Sequence, residues 1–124
     1  QEREWKVPDG LFTLATKKGP MRVALEVELS QKSKARYQKI MKSVLVSRQF
    51  EIVFFLCRDS KLADLISKEV STSRRTNSTV QASSRSNGIY FCTLDMLRKN
   101  GNDALWCGEK SRFSITEVER SLVV

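Results

Sequence analysis

Apolar and polar positions alternate most cleanly between Met21 and Leu29. Met21, Val23, Leu25, Val27 and Leu29 interleave with Arg22, Ala24, Glu26 and Glu28, the period that marks a strand. Pro8 to Leu14 reads as a second strand, and Lys17-Lys18-Gly19-Pro20 between the two is turn chemistry. Together they predict an antiparallel hairpin. The spacing then becomes helical: Tyr37, Ile40, Met41, Val44 and Leu45 form one stripe, which predicts a helix from an N-cap at Ser30 to about Ser47. Lys32, Arg36 and Lys39 fall on another face of that helix. Glu51 to Cys57 (EIVFFLC) is an almost unbroken apolar run, as expected of a strand covered on both sides. Strand, helix, strand in that order implies a right-handed crossover and a parallel pair.

Farther along, Lys61 to Val70 predicts a short helix. Ser71 to Gly88 is rich in Ser, Thr and Asn and reads as a loop carrying Arg74, Arg75 and Arg85. Ile89 to Thr93 is a strand, Leu94 to Asn100 a short helix, and Ala104 to Cys107 a last strand. Ser114-Ile115-Thr116-Glu117 is a capping-box pattern that opens a C-terminal helix. With no internal repeat and no composition break, residues 1–124 read as one α/β domain with a mixed sheet. A chain that begins at Gln1 rather than Met reads as a piece of a longer protein.

Composition narrows the chemistry. Hydrophobic residues make up 40% of the 124 positions, enough for a core. No apolar run approaches the roughly 18 residues of a membrane span, and the start lacks a signal-peptide pattern. Lys and Arg number 22 against 14 acids, a net charge of +8. That excess suits a polyanion, nucleic acid before an anionic membrane surface, and equally a soluble domain with a basic bias. The sequence has no His, which removes Ser-His-Asp and Cys-His catalysis. Cys57, Cys92 and Cys107 are scattered, outside any CxxC pair, which leaves no ligand set for structural zinc. Their odd count fits a reducing compartment, the cytoplasm, and Cys57 reads as a buried thiol. Hydrolytic chemistry would then fall to carboxylates, Lys and a metal.

The hairpin concentrates carboxylates. If Lys17 and Lys18 alone form its loop, Asp9 falls opposite Glu26; if the loop spans residues 17–20, Asp9 falls opposite Glu28. Either register puts Asp9, Glu26 and Glu28 on one sheet face, with Phe12, Leu14, Val23, Leu25 and Val27 on the other, toward the core. Opposed Cβ atoms stand about 4.5–5.5 Å apart, close enough for carboxylate oxygens to share a hard cation such as Mg²⁺. The simpler account makes Glu26 and Glu28 the solvated side of an amphipathic strand and Asp9 a turn residue.

Pro8-Asp9, a hairpin, Glu26-Val27-Glu28 on the next strand and then a helix together resemble the PD-(D/E)xK nuclease superfamily. More narrowly, PDGLF followed by ALEVELSQKSKARY is similar to the nuclease-like domain of plasmid and mobile-element replication-relaxation proteins, in an ExE variant. The likeness covers the first half of the chain and rests on short motifs. It implies a restriction-endonuclease-like three-layer fold, a mixed central sheet flanked by helices. It also implies an endonuclease that hydrolyses DNA phosphodiester bonds with Mg²⁺ or Mn²⁺. Asp9, Glu26 and the Val27 carbonyl would be the metal ligands. Glu28 stands where the family carries Lys, as a further ligand or general base. Lys32 or Lys34 would replace that Lys, and Gln31 with Tyr37 is similar to a Gln…Tyr element of some nucleases, although Tyr37 also suits the buried stripe. Lys32, Lys34, Arg36 and Lys39 would follow the DNA phosphates, with Arg74, Arg75 and Arg85 as a second contact. A catalytically silent nuclease-like module that binds DNA or regulates replication is the alternative, which the Glu at position 28 favours. Implied partners are DNA, a second copy in a homodimer, and replication or mobilisation proteins, with no membrane. Trp5, Trp106 and the Phe residues form no stacking ladder and read as core.

Overall fold

A computed structural model describes residues 8–46, 50–76 and 88–122, with side chains outside the description at 41–46 and 72–76. The hairpin comes first, as β1 (Gly10–Thr16) and β2 (Gly19–Glu28). Thr16 pairs with Gly19 across a loop of Lys17 and Lys18 alone. A turn this tight requires a positive φ, and Gly19 supplies it at 107°, so neither lysine is strained. The Thr16 hydroxyl closes the turn by donating to the Gly19 carbonyl at 2.7 Å and accepting the Lys18 N–H at 3.1 Å.

Helix α1 spans Lys34–Val46. It starts later than the sequence predicts, because Ser33 and not Ser30 is the cap: its hydroxyl accepts the Arg36 N–H at 3.1 Å. Lys32 therefore lies ahead of the helix rather than on its face. The expected strand follows as β3 (Ile52–Cys57), parallel to β2. Helix α2 runs Ser60–Thr76, so the predicted loop is helical over 71–76. Its Ser and Arg residues carry no Gly or Pro to stop a helix already under way. Arg74 and Arg75 sit in its last turns, whereas Trp5 and Arg85 lie outside the described residues. Strand β4 (Ile89–Thr93) runs parallel to β3. Helix α3 (Leu94–Asn100) matches its prediction, held by the Thr93 side chain at one end and by Gly101 at φ 55° at the other. After a 3₁₀ turn at Gly101–Asp103 come β5 (Trp106–Cys107) and β6 (Arg112–Phe113). The sequence did not predict β6. Helix α4 (Ile115–Ser121) begins at the anticipated capping box.

The strands form one mixed sheet in chain order, β1 to β6. One core joins Tyr37 and Ile40 of α1 and Leu62, Ile66 and Val70 of α2 to Val53, Phe55, Cys57 and Ile89. The other joins Leu14, Val23, Phe54, Leu56, Cys92 and Trp106 to α3 and α4. Phe54 stacks on Trp106 with ring centroids 4.0 Å apart and is 1% exposed. Core packing is therefore the role of Trp106. Among the described residues no helix is long and apolar enough to cross a membrane.

Candidate functional site

The observed register runs Gly10 against Leu25, so its continuation sets Asp9 opposite Glu26, the first of the two predicted pairings. On the other side of β2, Glu26 pairs with Phe55 and Glu28 with Cys57. Paired residues share a face, so both glutamates point into the layer under α1 and α2. Their exposures are 1% and 0%. The solvated-strand account of Glu26 and Glu28 is thereby overturned: the polar side of β2 is a second buried face, because the crossover helix α1 packs over it. Asp9 remains exposed, and its Oδ2 accepts the Val27 N–H at 2.7 Å.

The main chain of β2 alternates in direction. Glu28 O accepts the Arg58 N–H at 2.9 Å, toward β3, whereas the Val27 N–H points toward Asp9. The Val27 carbonyl therefore faces the Asp9 side as well. Pro8, which continues the register opposite Val27, has no N–H to give it. A Pro-Asp pair at this point of a hairpin thus leaves one strand carbonyl beside one carboxylate.

Around Glu28 the local chemistry is set by burial. The Cys57 thiol is pushed up to about 12, first by burial and then by the negative charge of Glu28. Tyr37, 2% exposed, is also raised by burial. Its hydrogen bond with Lys32 opposes that rise and the Glu28 charge adds to it. The Tyr37 hydroxyl accepts the Lys32 N–H at 2.8 Å, so this residue belongs to the core and also fixes the chain ahead of α1. That segment turns Lys32 back over the strand end: its ammonium donates to Ser30 Oγ at 3.0 Å and stands 3.9 Å from Glu28 Oε1. Lys32 thus folds back to Glu28, the position expected of the candidate replacement Lys. Lys34 and Lys39 are exposed on α1 and Arg36 is half-buried.

Sequence reading missed Arg58. It follows β3 directly, and its Nη1 donates to Leu29 O at 3.1 Å while Nε pairs with Asp59 at 2.9 Å. The signal was present: a parallel pair brings both strand ends to the same edge, so the residue after β3 must lie beside the residue after β2. Carboxylates and a main-chain carbonyl are hard oxygen donors of the kind Mg²⁺ takes. Among the described residues, however, no three Asp, Glu or Cys side chains converge closely enough to hold an ion as they stand. No protein-family model matches the chain, and no curated protein or solved structure does either.

Proposed function

We propose that this chain is a nuclease-like domain of the PD-(D/E)xK type, with a restriction-endonuclease-like arrangement of helices on both faces of its mixed sheet, and that it cleaves DNA phosphodiester bonds with Mg²⁺ or Mn²⁺. The observation that carries the reading is the setting of Glu28. It is a fully buried acid at the end of a parallel strand, with a lysine ammonium 3.9 Å away and Asp9 on the adjacent amide of Val27. A buried acid costs stability, and a chemical role gives a reason to keep it. Asp9, Glu26 and the Val27 carbonyl are the residues that would hold the ion, which when bound supplies an acidified water and positive charge for the phosphate. Glu28 would accept a proton, and Lys32 would neutralise a phosphate oxygen. Lys34, Arg36, Lys39 and Arg58 would bind the backbone on either side.

A second reading, a catalytically silent DNA-binding or replication-regulating module, draws on the Glu at the family's Lys position and on the absence of a ready-made three-acid cluster among the described residues. Plasmid nicking in Mg²⁺ or Mn²⁺ by the wild type, Asp9→Ala and Glu26→Ala separates the two. The nuclease reading expects cleavage lost in both variants, and cleavage that survives in both removes this site. An inert wild type whose DNA affinity falls steeply with salt supports the silent module.

A further inference from the structure

β1 is the edge of the sheet. It pairs with β2, and among the described residues no strand pairs with its other side. The alternation that turns Val27 toward β1 also turns Gly10, Phe12, Leu14 and Thr16 toward β2. The N–H and C=O groups of Leu11, Thr13 and Ala15 therefore point away from the sheet. All three residues are exposed, Leu11 at 63%. Edge strands are ordinarily guarded by charge or proline, and GLFTLAT has neither.

We propose that β1 pairs antiparallel with β1 of a second copy about a two-fold axis at Thr13. This register sets Thr13 against Thr13, Leu11 against Ala15 and Gly10 against Thr16, so the strands overlap along their whole length. Each outward N–H and C=O on Leu11, Thr13 and Ala15 then meets a partner. Self-pairing of an uncharged strand brings no like charges together, and the next pair outward is complementary: Asp9 lies opposite Lys17 of the partner subunit. Moving the axis to Leu11 or Ala15 shortens the ladder and loses that pair. Pairing at Thr13 also brings Lys17 of the partner subunit to the Asp9 edge of the candidate site, so a neighbouring copy would complete its charge. This last consequence rests on the nuclease reading; the dimer itself does not.

Light scattering on the eluting protein tests the pairing without DNA or metal, so its outcome is separate from that of the cleavage assay. The expected mass is twice the 14.2 kDa of the chain. Thr13→Lys, which puts two ammonium groups at the axis, and Thr13→Pro, which removes only an outward N–H, each return the mass to that of one chain with an unchanged circular dichroism spectrum. Lys17→Glu weakens self-association about tenfold. If Thr13→Lys misfolds, amide exchange decides: the Leu11, Thr13 and Ala15 amides of the wild type exchange slowly and become fast on dilution. A wild type of single-chain mass, with those amides either exposed or protected by some other strand, overturns the proposal. So does a dimer that persists in both Thr13 variants.

Discussion

The two faces of the central sheet are covered alike by helices but built from different chemistry. Under α3 and α4, β1, β2 and β3 contribute Leu14, Val23, Phe54 and Leu56, packed on Trp106. Under α1 and α2, β2 instead contributes Glu26 and Glu28, beside Tyr37 and Cys57. Apolar burial contributes about 25 cal/mol per Å², whereas an ionised carboxylate out of water costs free energy that partners only partly offset. One face of β2 is apolar core, whereas the other buries two carboxylates, the arrangement expected where side chains are kept for chemistry, as the nuclease reading proposes.

That contrast can be broken by experiment. Phe54→Ala should destabilise most, by about 3–5 kcal/mol, read as a shift in the urea midpoint. A smaller loss would mean that the aromatic stack on Trp106 is not the anchor of its face. Glu28→Gln, which removes a charge from a fully buried site, should move stability the other way, by on the order of 1 kcal/mol, and on the nuclease reading should abolish cleavage in the nicking assay. If the variant is instead less stable, the carboxylate serves the fold through Lys32 and the two faces are alike in purpose. Tyr37→Phe removes the acceptor for the Lys32 N–H and should cost about 1 kcal/mol, with a larger proportional loss of nicking than of stability if Lys32 acts at the site.

The weakest effect concerns pH. The folded-state value of Cys57 is raised above the ordinary 9.0 to about 12, so the folded protein holds its proton longer than the unfolded chain. The stability this group contributes is complete below about pH 9 and is lost as the pH climbs toward 12. Cys57→Ala should flatten that decline in urea titrations at successive alkaline pH values. An unchanged slope would assign the decline to Tyr37, which is raised as well.

Much of this was legible in the sequence. The alternation from Met21 to Leu29, the apolar run of β3 and the capping box at Ser114 each record a local preference, and each became the predicted element. The length of α2 was not legible, because Ser and Arg are indifferent between helix and loop once a helix is under way. The cap of α1 was misplaced because Ser30 and Ser33 are equally good caps by type, and the contacts that favour Ser33, its hydroxyl on the Arg36 amide and the Tyr37 hydroxyl on the Lys32 amide, are not visible in the residue pattern. The shared face of Asp9, Glu26 and Glu28 followed from parity alone. That the same face is buried did not, since burial of Glu26 depends on where α1 returns across the sheet. Arg58 was legible only through topology: no local motif marks it, but the expected parallel pairing of β2 and β3 already sets the residue after β3 beside Leu29.

The hydrogen bond from the Arg58 amide to the Glu28 carbonyl has a kinetic corollary. The β1–β2 ribbon closes through a two-residue turn, so its contacts are local and can form early. The acids lose their water only after the chain has looped through α1 and docked β3, a slower search over a longer stretch. In stopped-flow refolding, burial of the acids should therefore lag behind hairpin formation and appear together with the docking of β3, and on the nuclease reading so should Mn²⁺ binding.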